Sequence, residues 1–165
     1  MSSGLIESKL DALDLDLDQF ERSLGLPVAC PEMVEQKALE IMRITPSSLE
    51  KLSDIECGES AFVLLQYAMY LQKACNKIRC RLRWCEENIF AIIAPLLPQQ
   101  KAYSLDERKA LAIQQSGIAS SINGFRVQLQ IRLERIMYLT DKLDAMARSL
   151  LSLQSTKRAG RGSYS

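Results

Sequence analysis

An all-α fold is what this sequence predicts, and three observations carry the prediction. Apolar residues recur at alternating four- and three-residue spacing over two stretches longer than an ordinary globular helix. Seven Gly, five Pro and 6% aromatic residues in 165 are poor material for a sheet protein with many turns. Pro95 and Pro98 separate the two long stretches and leave only a short connection between them. The expected architecture is a long antiparallel helical hairpin with short N-terminal helices, oligomerising through coiled-coil-like seams. Three segments are expected: residues 1–58, an acidic N-terminal part; 59–153, a basic two-helix hairpin; and 154–165, a flexible basic tail.

Within the first segment, Leu13-Asp14-Leu15-Asp16-Leu17-Asp18 alternates like a strand. Leu10, Leu13, Leu17, Phe20 and Leu24 also share one helical face, and aspartate is poor in strands, so residues 5–24 read as a short amphipathic helix. Gly25-Leu26-Pro27 ends it. Pro31 suits a first helical position and opens a segment over about residues 31–44. Thr45-Pro46 reads as an N-cap followed by proline, starting a helix to about Leu52.

The first long helix is expected from about Glu59 to Ala94. Leu64, Ala68, Leu71, Cys75, Ile78, Leu82, Cys85, Ile89 and Ile92 follow an unbroken 4-3-4-3 pattern, a coiled-coil seam rather than a broad globular stripe. Ser104-Leu105-Asp106-Glu107 is a capping box that opens the second long helix, expected to reach about Leu153. Its seam reads Leu111, Ile118, Ile122, Phe125 and Leu129, then after one stutter Leu133, Ile136, Leu143, Ala147 and Leu150. Gly117 and Gly124 either admit a close partner helix or mark a weak point, at about 1 kcal/mol each in helix propensity. Two seams this long would expose an apolar strip, so Leu64, Leu71, Ile78, Leu82, Ile89, Ile118, Ile122, Phe125, Leu129 and Ile136 are expected to assemble a homo-oligomer.

Charge divides near Ser60. Residues 1–60 hold 13 acids and 5 bases, a net of −8; residues 61–165 hold 7 acids and 16 bases, a net of +9. Such asymmetry points to a polyanionic partner, or to one half masking the other. Asp14, Asp16 and Asp18 are the residues expected to shield the cationic half, or else to dock a basic partner.

The five cysteines, Cys30, Cys57, Cys75, Cys80 and Cys85, are odd in number and include no CxxC, which points to reduced packing thiols in a cytosolic compartment. Successive members of the last three turn about 140° around their helix and cannot converge on a metal. With no histidine anywhere, Ser/His and Cys/His catalytic groups are excluded and no zinc site is expected. No phosphate-cradling glycine loop or inward carboxylate pair is present either, so neither an enzyme nor a cofactor is expected. The start Met-Ser-Ser-Gly-Leu-Ile-Glu lacks a signal-peptide pattern, and no run of about 18 apolar residues could span a membrane.

Beside the first seam lies a second row. Tyr70, Lys73, Lys77, Arg81 and Trp84 fall within roughly a quarter of the helix circumference, with no acid between them. Cations neutralise phosphates and aromatic faces stack on unpaired bases, so this interleaving suits a sequence-tolerant binder of single strands. Arg79 and Arg83 flank the row on the other side, and Lys157, Arg158 and Arg161 with Tyr164 form a second basic cluster. The plainer reading is a solvated flank whose aromatics fill a subunit contact. Arg126, Arg132, Arg135, Lys142 and Arg148 scatter around the second helix and read as solvated.

At the first long helix the sequence resembles the UvsY family of phage recombination mediators. The resemblance rests on Glu59-Ser60-Ala61, Tyr67, the group Tyr70-Leu71-Gln72-Lys73, Leu82-Arg83, and a second long helix opening near Glu107-Arg108-Lys109. It covers about residues 50–150; residues 1–50 and the connection around Pro95 differ. It implies an all-helical subunit in a closed ring that binds single-stranded DNA and helps load a RecA-like recombinase onto strands coated by single-strand-binding protein. Of the candidate cations, Lys73 and Arg83 fall at matched positions, whereas Lys77 and Arg81 come from helix geometry alone. The expected function is thus a non-enzymatic single-stranded DNA-binding recombination mediator. The rival is a helical structural or adaptor protein, such as a virion component, without nucleic-acid binding.

Overall fold

The computed structural model describes residues 3–26 and 29–162, the side chains of Ser3 and Arg161 excepted. The described residues are helical, with no strand among them: α1 (Ser3–Ser23), α2 (Glu32–Met42), α3 (Pro46–Lys51), α4 (Asp54–Ile93), a short 3-10 helix (Ala94–Gln99), α5 (Leu105–Gln115) and α6 (Gly117–Gly162). No helix among them is long and apolar enough to cross a membrane.

Local chemistry sets the boundaries. Gly25, at φ 71, stops α1: its N–H donates to the Arg22 carbonyl and the Leu26 N–H reaches back to Glu21, the paired bonds of a Schellman cap. Pro31 sits at the N-cap of α2, one position earlier than its sequence suggests, and Thr45 stands at the N-cap of α3 without a side-chain cap bond, Pro46 following in the first turn. α4 begins five residues before the expected Glu59 because Ser53 and Glu56 form a capping box. The Ser53 N–H donates to Glu56 Oε2 at 2.6 Å and the Glu56 N–H donates to Ser53 Oγ at 3.2 Å. That backbone donor holds the Glu56 carboxyl below its usual range, with the Ser53 hydroxyl adding to the effect. The Ser104–Glu107 box opens α5 as expected.

Two expectations are corrected here. The second long helix is not continuous: Ser116 is extended (φ −102, ψ 109), ends α5 and starts α6, its Oγ accepting from the Ala119 N–H at 3.3 Å. A serine followed by Gly117 is a good N-cap and a poor helix interior. The tail is not irregular either, since α6 runs on through residues 154–162. Lys157 and Arg158 hold that end against its own unit, as described below.

The chain forms two units, residues 1–26 with 75–135 and residues 27–74 with 136–165. The first unit buries Ile6 and Leu10 of α1, Cys75, Leu82, Cys85, Ile89 and Ile93 of α4, Ala112 of α5, and Ala119, Ile122, Leu129 and Leu133 of α6. In the second, Ala38 of α2 and Ala61, Leu64, Tyr67 and Ala68 of α4 pack with Leu143, Ala147 and Leu150 of α6, and Leu49 and Leu52 close the edge. A Cβ added at Gly58 would meet the Gln154 amide, so α4 and α6 approach closely there. Gly117 and Gly124 have open space instead; among the described residues no helix uses them for close approach.

The expected seams are therefore largely internal to the chain. Leu64, Leu82, Ile89, Ile122 and Leu129 are buried, and Leu71, Ile78, Phe125 and Ile136 half-buried, within their own units. Within the single chain these seam residues thus face the cores of their own units. Leu111 and Ile118 are exposed, because their neighbours Ala112 and Ala119 take the inward slots. The stutter also vanishes: Arg126 occupies the slot between Ile122 and Leu129, half-buried, its Nε donating to Asn123 Oδ1 at 3.0 Å.

Candidate nucleic-acid interface

The residues that define the site lie on α1 and α4 within the first unit. On α1, Ile6 and Leu10 are buried and Leu13 and Leu17 half-buried, which fixes the inward face. Asp11, Asp14 and Asp18 stand beside that face at 3-4 spacing, one row of carboxylates. On α4, Lys77 and Arg81 are one turn apart, about 6 Å along the axis.

The two rows engage. Arg81 Nε donates to Asp14 Oδ1 at 2.9 Å and its Nη2 to Asp14 Oδ2 at 2.7 Å, a fork on one carboxylate, while Nη2 also reaches Asp11 Oδ1 at 3.3 Å. Lys77 Nζ pairs with Asp18. Rising α1 numbers meet falling α4 numbers, so the two helices run in opposite directions here. The side chains of Lys77 and Asp18 are 22% and 21% exposed, and those of Arg81 and Asp14 23% and 26%. These pairs are screened less than fully solvated ones. The Asp14 hydrogen bonds raise the Arg81 pKa above its ordinary value, against the opposing effect of burial, with the charges of Asp14 and Asp11 adding.

The expected shield is thus partly as foreseen. Asp14 and Asp18 cover the cations, Asp11 joins them, and Asp16 is exposed on another face. The sequence signal for this row is the 3-4 spacing of Asp11, Asp14 and Asp18; the Asp-Leu alternation points to Asp16 instead.

The remaining candidates divide. Trp84 is half-buried on the flank below Arg81, and its carbonyl accepts from Asn88 Nδ2 at 2.8 Å. Tyr70 and Lys73, both half-buried, belong to the second unit. Arg79 is exposed and donates to Asn76 Oδ1 at 3.1 Å, and Arg83 makes an exposed pair with Glu87 at 3.0 Å, worth at most about 0.5 kcal/mol.

Lys157 and Arg158 have structural duties in the second unit. Lys157 Nζ donates to the carbonyls of Glu50, at 2.9 Å, and Leu52, at the C-terminal end of α3. Arg158 Nε meets Asp54 Oδ2 at 3.4 Å in the first turn of α4. These two cations of the expected tail cluster thus contact α3 and α4 within their own unit, Arg158 remaining exposed. The Arg161 side chain and Tyr164 lie outside the described residues.

Arg132, which reads as solvated from the sequence, is exposed, and it stands near the two rows. Arg132 of α6 lines a cavity of about 180 Å³ together with Arg81 of α4 and with Glu7 and Asp11 of α1, and Leu10, Phe125, Gln128 and Leu129 complete it. Scatter along α6 hides this, because the residue acquires its neighbours only by packing. Among the described residues no three Cys, Asp or Glu side chains are grouped so as to hold a metal ion. Comparison of the chain with known protein families, with curated proteins and with solved structures gives no match, so the reading of this surface rests on its own residues.

Proposed function

We propose that the chain is a non-enzymatic single-stranded DNA-binding protein acting as a recombination mediator. In this reading it is an antiparallel helical hairpin that assembles as a homo-oligomer and loads a RecA-like recombinase onto strands covered by single-strand-binding protein. The observation that carries it is the flank of α4 on which Arg81 and Lys77, one turn apart, already hold a row of carboxylates, with Trp84 beside them. Donors that fork onto a carboxylate also fit a phosphodiester oxygen pair, and an adjacent indole can stack on a base. Many modest contacts from repeated subunits would add through multivalency.

The structural-adaptor reading is favoured by a different feature. Ile55, Phe62 and Met69, spaced by seven on the α4 face opposite Leu64, are 62%, 67% and 73% exposed. That apolar row suits a helical partner better than a phosphate backbone.

Binding of the full chain to a fluorescent oligothymidylate, titrated across salt with the particle size measured alongside, separates the two. Lys77→Ala with Arg81→Ala is expected to weaken binding and flatten the salt slope by about 0.7 per lost phosphate contact. Trp84→Ala should cost about 1–3 kcal/mol with the slope nearly unchanged. A parent protein and variants that all ignore the oligonucleotide at low salt would leave the adaptor reading.

A further inference from the structure

We propose that α1 is a displaceable acidic cover over a cationic site built from two helices, in which Arg132 of α6 joins Lys77 and Arg81 of α4, and that single-stranded DNA takes the place of α1 there. The proposal rests on the DNA-binding reading and adds to it a further contact residue and a control.

The cavity between α1, α4 and α6 carries the composition argument. Every acid lining it, Glu7 and Asp11, belongs to α1; what α4 and α6 contribute is Arg81, Arg132, Gln128, Phe125 and Leu129. With α1 lifted away, two guanidinium groups, an amide and an aromatic ring would face one space, the set that a nucleotide's phosphate and base require. Arg132 is exposed and makes no hydrogen bond or ion pair among the described residues, a solvated cation at the rim of the cavity.

The way α1 is fastened carries the displacement argument. Its apolar anchors, Ile6 and Leu10, are confined to the first two turns. Past Asp11, Leu15, Phe20 and Leu24 are exposed and Leu13 and Leu17 are the only half-buried apolar residues, so polar contacts, the Asp14 and Asp18 pairs with the half-buried Glu21, do much of the holding. A polyanion competes for those pairs directly and leaves apolar contacts untouched. The helix therefore lifts from its C-terminal side and stays tethered by Ile6 and Leu10. Asp11, Asp14 and Asp18 occupy, in the covered state, the places that phosphates take in the open one.

The test uses the full chain, oligothymidylate anisotropy and amide hydrogen exchange. Asp14→Asn and Asp16→Asn make the same change in net charge, but of the two only Asp14 pairs with a cation of the site. Asp14→Asn should bind about tenfold tighter than the parent at about 50 mM salt, with the gap closing as salt rises, and Asp16→Asn should bind as the parent does. Arg132→Ala should weaken binding and reduce the salt slope by about 0.7. In the parent, which needs no substitution, the oligonucleotide should speed exchange over residues 12–23 while leaving the amides around Ile6 and Leu10 protected. Equal effects of the two asparagine variants, or exchange over 12–23 unmoved by bound oligonucleotide, would overturn the cover while DNA binding that depends on Lys77 and Arg81 survived. No binding by the parent or by Asp14→Asn would overturn both.

Discussion

At the scale of single residues the cysteines show how far composition reaches. An odd number of thiols without a CxxC reads as packing, and Cys57, Cys75 and Cys85 are indeed buried, with Cys30 and Cys80 half-buried. Burial is the leading cause that pushes the Cys75 and Cys85 thiols above their ordinary pKa, with nearby arginines opposing it. Thiols shifted upward favour the folded state while neutral. That contribution is complete below the unfolded thiol pKa and is lost as pH rises through the folded value, so stability should decline above about pH 9. Alkylation at about pH 8 should modify Cys30 and Cys80 in the native protein and reach Cys57, Cys75 and Cys85 only after denaturant is added. Mass spectrometry of the labelled peptides checks this, and rapid native labelling of Cys85 would contradict the packing described. The site is less legible at this scale. Lys77 and Arg81 follow from helix geometry, but their partners do not, because Asp14 lies 67 positions from Arg81 and only folding brings them together.

At the scale of elements, periodicity locates the long helices, and it misleads where one polar residue outweighs a pattern. Ser53 and Ser116 each set a helix end that apolar spacing does not reveal. Arg126 conceals a regular heptad, since a charged residue in an inward slot looks like a break in the run. Gly124, with nothing among the described residues within 4 Å of an added Cβ, is a cost without a packing benefit. Gly124→Ala should stabilise the protein by about 0.5–1 kcal/mol, through helix propensity and a less flexible unfolded chain. Urea midpoints measure the gain. A loss of stability would mean that a neighbouring molecule packs tightly against that face.

At the scale of the whole molecule, the −8 and +9 halves are legible as numbers, and the structure turns part of that division into specific ion pairs within the first unit. The unit boundary after residue 26 falls at the Gly25-Leu26-Pro27 break, but those at residues 74 and 135 are not legible, because α4 and α6 each contribute to both units and no turn or change of composition marks them. This interleaving has a consequence for how the chain acquires its structure during synthesis. All of the first unit has been made once residue 135 emerges, whereas the second still awaits residues 136–165. Ordering residues 75–135 early also shortens the free chain that separates the two halves of the second unit, which lowers its closure entropy. The first unit should accordingly organise before the second. Pulsed hydrogen exchange during refolding should show amides near Leu82 and Ile122 protected ahead of those near Leu64, Leu143 and Leu150, making the C-terminal end of α6 the last part to lock.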